Sequence, residues 1–366
     1  MIKLGPFDFP FVLERCSETR PPCSQCKLPL IKGQKKNVLN EQLPIFPFLT
    51  QRNMMPKVAK KKPSPTRTST SGKRSARPFG AHQSISGGLP KAVERATETG
   101  CDCMQIFTRN INQWAVKPID QEIATAFREA VSKSNLKLVI AHDSYLINPA
   151  SGDDTLRKKS IQGLVTELER ADLLGIPWVV AHPGAAGEQD RTVAVNRAAD
   201  GIIESLRKTK KLSSGILIET TAGQGTCLGD TFEEIAAMLH RIDKIKSLQE
   251  RVAVCLDTCH VFAAGYPLQP KKSLDETIRQ FDNTIGLSRL KVIHANDSKR
   301  ELGSHVDRHE GIGQGKIGRA AFKLLVTHPK LKKVPFILET PKEGVDGKPD
   351  PKNDIRNIKL LRRLES

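Results

Sequence analysis

The amino-acid sequence predicts an α/β protein: a (β/α)8 barrel over residues 79–366, preceded by a basic, disordered N-terminal extension over residues 1–78. Three observations carry this. Eight short apolar runs alternate with amphipathic stretches from residue 79 onward, the last six runs each end in a histidine or a carboxylate, and excess positive charge is concentrated before residue 79.

The extension comes first. Residues 1–78 hold 16 Lys and Arg against 4 Asp and Glu, so they supply +12 of the chain's net +18. Residues 55–78 carry eight basic residues and no acidic one, spaced by Pro63, Pro65, Ser and Thr. Such a composition buries too little apolar surface to offset chain entropy and reads as a disordered arm or linker able to touch phosphates. Met54 and Met55 precede the basic run and mark an alternative start. Cys23 and Cys26 form a C-x-x-C with Cys16 nearby, but a structural zinc site wants four ligands and no fourth lies close, so none is expected there. Eight cysteines in 366 residues do not read as a disulfide framework. With no secretory leader and no apolar run of eighteen residues, an intracellular protein without membrane spans is expected.

The predicted strands are 79–82, 103–107, 136–141, 178–181, 216–218, 252–256, 290–293 and 335–338. Between them, helical periodicity predicts helices over 89–97, 120–132, 154–174, 192–208, 232–241, 274–285 and 318–326, with 354–364 closing the chain. Continuous apolar strands need burial on both faces, which a closed parallel barrel with an outer helical ring provides. A doubly wound open sheet satisfies the same alternation.

Polar residues favour closure. The last six runs lead directly into His142, His182, Glu219, Asp257, His294 and Glu339. In a parallel barrel all strand C-termini meet at one face, so these side chains converge. His260 follows Asp257 by three residues, and Asp307 and His309 follow His294 by a loop. A single strand-end His or Asp is most often a cap or a hydrogen-bonded core residue. Several unpaired carboxylates buried together are costly, and a polynuclear metal centre resolves that conflict. Nine nitrogen and oxygen ligands exceed the needs of one ion and suit zinc, manganese or iron. His82, ending the first strand, is expected to contact substrate or orient a ligand. His240, His305 and His328 read as structural, and Cys259 as a packed thiol.

The segments His142-Asp-Ser-Tyr-Leu-Ile-Asn148, His182-Pro-Gly184, Glu219-Thr-Thr-Ala-Gly-Gln-Gly225, Asp257-Thr-Cys-His260, His294-Ala-Asn-Asp-Ser-Lys299, Val306-Asp-Arg-His309 and Ile337-Leu-Glu-Thr340 resemble the motifs of endonuclease IV, the apurinic/apyrimidinic endonucleases. The resemblance spans residues 79–364 and implies a TIM barrel with three zinc ions, replaceable in part by manganese. It implies that His142, His182 and Glu219 hold the first zinc, Glu219, Asp257, His294 and Glu339 the second, and His260, Asp307 and His309 the third. Glu219 would bridge two ions and act as the catalytic residue. The implied activity is that of a deoxyribonuclease IV in base excision repair. It cleaves 5′ to an abasic site in double-stranded DNA, leaves a 3′-hydroxyl and a 5′-deoxyribose phosphate, and trims blocked 3′ ends. The implied enzyme is a monomer acting where DNA is: cytoplasm or nucleoid in a bacterium, nucleus or mitochondrion in a eukaryote. Asn112, Gln113, Tyr145 and Leu146 are the implied DNA contacts. Two positions depart from the family: Thr220 stands where Asn is frequent, and Asn112 stands where an Arg penetrates DNA. Trp114 reads as a packed loop anchor.

Two other functions share some features. A sugar isomerase or epimerase uses the same barrel, with fewer metals and no need of polyanion-binding charge. A non-catalytic DNA-binding protein would rely on the basic arm and leave nine ligands without purpose.

Overall fold

The structure, a computed structural model, describes residues 77–343 and 349–366. The basic arm before residue 77, with Cys16, Cys23, Cys26, Met54 and Met55, lies outside the described residues. Eight parallel strands close into a barrel: β1 (Phe79–Gln83), β2 (Cys103–Phe107), β3 (Leu138–His142), β4 (Trp178–Ala181), β5 (Gly215–Glu219), β6 (Val252–Asp257), β7 (Leu290–His294) and β10 (Phe336–Leu338). Pairing of β10 with β1, Phe79 opposite Phe336, makes the closure and excludes the open sheet. A short antiparallel ribbon, β8 (Asp297–Ser298) with β9 (His309–Glu310), rides on the chain after β7. Helices α1 (Leu89–Glu98), α2 (Gln121–Lys133), α3 (Asp154–Leu173), α4 (Arg191–Lys208), α5 (Phe232–Asp243), α6 (Thr258–Ala263), α7 (Lys271–Thr284), α8 (Gly318–Thr327) and α9 (Pro351–Glu365) connect the strands or end the chain.

Several helices start where their first backbone amides find a side-chain acceptor. Asp153 accepts from Thr155 and Leu156, Asp190 from Val193, and Thr231 from Glu234. Helix α7 begins at Lys271 and not at residue 274, because its polar first turn follows Pro270 and carries no apolar signal. The ladder of β3 begins at Leu138, paired with Cys103, so Leu136 lies outside it.

The alternation of side chains along each strand sorts the apolar residues into two cores. Cys103, Ile140, Val180, Leu217, Ala253, Cys255, Val292 and Ile337 fill the barrel interior. Their strand neighbours, among them Ile106, Val139, Val179, Ile216, Ile218, Val254, Ile293 and Leu338, pack outward against the helices.

One residue assigned to the basic extension belongs to the barrel. Arg77 is fully buried: Nη2 donates to the Val326 carbonyl at 2.9 Å, Nε lies 3.2 Å from Glu365 and the guanidinium sits over Phe336. A cation that closes α8, α9 and β10 around the start of β1 cannot also serve the arm.

Candidate metal centre

The centre follows from the strand period. Two residues beyond the interior core, the same inward face carries His142, His182, Glu219, Asp257, His294 and Glu339 on β3, β4, β5, β6, β7 and β10 or directly after them. Gln105 on β2 and His82 on β1 complete the ring. Sequence reasoning passed over Gln105 because it lies inside an apolar run, yet it stands two residues after the inward-facing Cys103.

Three groups form, and their ligand atoms lie within 4.8 Å of one another in each: His142, His182 and Glu219; Glu219, Asp257, His294 and Glu339; His260, Asp307 and His309. Glu219 belongs to two of them. Its Oε2 faces His182 Nε2 at 3.0 Å and His142 Nε2 at 3.1 Å, while Oε1 faces His294 Nδ1 at 2.7 Å. A carboxylate whose two oxygens point at separate imidazole groups is arranged to bridge.

The loops deliver the third group. Asp257 caps α6 by accepting from the His260 amide at 2.9 Å, which fixes His260 beside the strand end. The β8–β9 ribbon returns Asp307 and His309 to the mouth of the barrel. Buried Asp297 ties the ribbon to the chain that follows it, its carboxylate accepting from the amides of Ser298, Gly313 and Ile317 at 2.8, 2.9 and 3.0 Å. Asn296, also missed in the sequence, donates to Asp257 Oδ2 at 2.6 Å and accepts from the Glu339 amide at 2.8 Å. Gly184 lets the loop after His182 approach Asn148: φ is 101°, and a Cβ there would lie 2.1 Å from Asn148 Oδ1.

The donor set fits metal ions. Carbonyl oxygens only accept, so His142 Nδ1 donates to Asp143 at 3.0 Å, His260 Nδ1 to Thr220 at 2.8 Å and His309 Nδ1 to Glu339 at 3.3 Å. Each ring is thereby held as the tautomer whose Nε2 lone pair faces inward. The inward nitrogens of His260 and His309 are buried and make no hydrogen bond, although each lies 3.1 Å from an oxygen of Asp307. Electrostatics agree. Burial would raise the Glu219 pKa, but His294 and His182 outweigh it and hold the carboxyl well below its usual range. Burial likewise opposes charging His260, but Asp257 and Asp307 raise its pKa well above normal, so the Nε2 lone pair would become free only as a bound cation replaces the proton there. The cluster therefore keeps its carboxylates ionised and seeks positive charge.

Cys255 and Cys259 also lie within reach, but burial pushes both thiols up to about 12, so neither offers a thiolate near neutral pH. Cys259 donates to the Arg308 carbonyl at 3.7 Å, as a packed thiol does. Exposed His240 on α5 and His305, bonded to the Ala222 carbonyl at 3.1 Å, belong to no such group, nor does His328, 3.4 Å from Asp275. His82 lies beside the cluster: its Nδ1 is 3.9 Å from Glu339 Oε1, and burial pushes its pKa down to about 3, so it stays neutral.

The remaining site residues line the same mouth. Asn112 and Gln113 are exposed on the loop after β2, and Tyr145 and Leu146 are partly exposed after β3. The Tyr145 ring packs on Phe107, His142 and His182 at centroid distances of 5.7, 6.0 and 6.5 Å, so it borders the first group of ligands directly. Trp114 packs against the outer core and faces Gly163, the anchor role expected of it. Ser144 Oγ donates to the Ile111 carbonyl at 2.6 Å and joins the two loops.

A closed barrel with a ring of potential metal ligands at its C-terminal mouth defines a TIM-barrel enzyme, and residues 93–364 match the family described as the xylose isomerase-like TIM barrel. The chain is 46% identical over 286 residues to the probable endonuclease 4 of Chloroflexus aurantiacus, covering 78% of this chain and 97% of that one. It is 42% identical over 292 residues to the probable endonuclease 4 of Methanoculleus marisnigri, covering 78% and 98%. Its structure superimposes on endonuclease IV from Thermus thermophilus with a TM-score of 0.67 at 34% identity, covering 78% and 98%. The chain belongs to the endonuclease IV family and is a nuclease of that class. A D-psicose 3-epimerase superimposes with a TM-score of 0.56 at 15% identity, which shows a shared barrel and no more.

Proposed function

We propose that this protein hydrolyses the DNA phosphodiester 5′ to an abasic site, leaving a 3′-hydroxyl and a 5′-deoxyribose phosphate, and that it holds three zinc ions to do so. The observation that carries the reading is the division of Glu219 between two imidazole groups, with His260, Asp307 and His309 forming a third set beside them. His142, His182 and Glu219 would hold one ion, Glu219, Asp257, His294 and Glu339 a second, and His260, Asp307 and His309 a third; manganese suits the same donors. Bound divalent metal neutralises an anionic phosphate and lowers the pKa of a coordinated water towards about 7.

The chain's own residues supply the rest. Glu219 fixes the spacing of the groups it joins and would orient the attacking water. Tyr145 and Leu146, with Asn112 and Gln113, would contact the extruded nucleotide, and an abasic nucleotide has no base to unstack. Hydrolysis of a blocked 3′ terminus would call on the same groups, so 3′-end trimming is the second use in this reading. A monomer acting inside the cell on double-stranded DNA completes the reading. Among the described residues no helix is long and apolar enough to cross a membrane. The test is incision of a duplex with a single abasic site, with product ends identified, set against conversion of a free ketohexose. Sugar epimerisation without incision overturns the proposal.

A further inference from the structure

We infer that Gln105 is a positioning residue that selects Nδ1 of His294 as its ligating nitrogen and aims Glu339 at the same ion. This rests on the metal-binding reading above. Four of the five clustered histidines present Nε2 inward. His294 is reversed: Nδ1 faces Glu219 Oε1 at 2.7 Å, Glu339 Oε2 at 3.1 Å and Asp257 Oδ2 at 3.9 Å, while Nε2 points to Gln105 Oε1 at 2.9 Å.

The Gln105 carboxamide is fully buried and both its ends are engaged. Its Nε2 donates to Glu339 Oε1 at 2.5 Å and lies 3.1 Å from His82 Nδ1. The amide orientation follows from these partners, because Glu339 is an acceptor and requires the NH2 group on its side. Gln105 Oε1 is then the acceptor for His294 Nε2–H, which places the ring proton on Nε2 and leaves the Nδ1 lone pair for the ion. Binding Glu339 through Oε1 leaves Oε2 facing the centre. One side chain thus orients two of the four ligands of the group formed by Glu219, Asp257, His294 and Glu339. Neutral His82, accepting the second amide proton, keeps the carboxamide from turning over. His82 therefore reaches the centre through Gln105.

The near-isosteric Gln105→Leu variant removes all three hydrogen bonds, to His294, Glu339 and His82, at little change in volume. Zinc titration of the metal-stripped full chain against a competing chelator should show one of three zinc ions bound about 10–100-fold more weakly in this variant, the scale of losing a ligand's orienting partner, with the other two unchanged. If the wild-type chain binds zinc and Gln105→Leu binds every ion as tightly, the inference is overturned while the metal centre stands. If the wild-type chain binds no zinc, the metal reading fails and takes the inference with it. The wild-type protein supplies a second measurement that does not depend on the variant folding. Long-range ¹H–¹⁵N spectra of the zinc-loaded chain should show a single imidazole ligating through Nδ1 beside four ligating through Nε2, and five Nε2 ligands would overturn the assignment.

Discussion

Arg109 and Glu167 form a buried ion pair, Nε to Oε1 at 2.5 Å, that fastens the loop after β2 to helix α3. From that anchor Arg109 Nη1 reaches back to the Gln113 carbonyl at 2.7 Å, closing the loop that carries Asn112 and Gln113. Thr108 donates to Glu167 Oε2 at 2.7 Å, and Arg170 donates to Thr108 Oγ1 at 3.0 Å and to the Lys117 carbonyl at 2.8 Å. A loop held in this way is ordered before any ligand arrives, and if it contacts DNA as proposed, that order lowers the entropic cost of binding.

Removing one partner leaves the other charge buried and unpaired, so Glu167→Ala should cost about 3–5 kcal/mol in denaturant unfolding. Glu167→Gln keeps the shape and should fold, but with a loosened loop it should bind abasic duplex more weakly at unchanged metal content. Equal affinity for the duplex in wild type and Glu167→Gln would show that the clamp stabilises the fold without preparing the loop.

Metal removal tests the centre itself. Prolonged chelation should abolish incision and zinc should restore it, with three ions per chain by elemental analysis. Because Glu219 serves two groups, Glu219→Gln should lower turnover by more than about 10²-fold and reduce metal content as well. Full incision by metal-free protein would eliminate the centre as proposed.

Tyr145 borders His142 and His182 at the mouth, and the neighbouring loop offers only Asn112 where the family's Arg would enter DNA. Tyr145→Ala should therefore weaken abasic-duplex binding by about 1–3 kcal/mol, the scale of base–aromatic stacking. Asn112→Arg should tighten it. Fluorescence anisotropy with abasic and intact duplexes reads both, and unchanged abasic binding by Tyr145→Ala would remove that loop from the interface.

The barrel and the convergence of nine candidate ligands were legible because strand-end polarity survives in one dimension: six apolar runs lead straight into a histidine or a carboxylate. What orients those ligands was not. Gln105 sits within an apolar run, and Asn296 follows His294 in what reads as a loop, so their partners on distant strands become visible only after closure. Ribbon β8–β9 and helix α6 are too short for periodicity to register. Arg77 reads as the end of a basic arm, since nothing local distinguishes a cation stacked on Phe336 from one in solvent.

That placement of Arg77 decides how the basic arm has to be tested. Removing residues 1–78 would strip a buried guanidinium from the base of the barrel and confuse stability with binding, so the cut belongs before residue 77. Seven basic residues from Lys57 to Arg74 then go, and the barrel keeps its anchor. If those residues touch phosphates, affinity should fall alike for abasic and intact duplex, because binding to the sugar-phosphate backbone carries no lesion information. Single-turnover incision at saturating enzyme should hardly change. The plot of log affinity against log salt should flatten by about 0.9 for each phosphate that is no longer neutralised. An unchanged slope would make the arm a linker and leave DNA binding to the barrel, whose residues 79–366 carry a net +6 of their own.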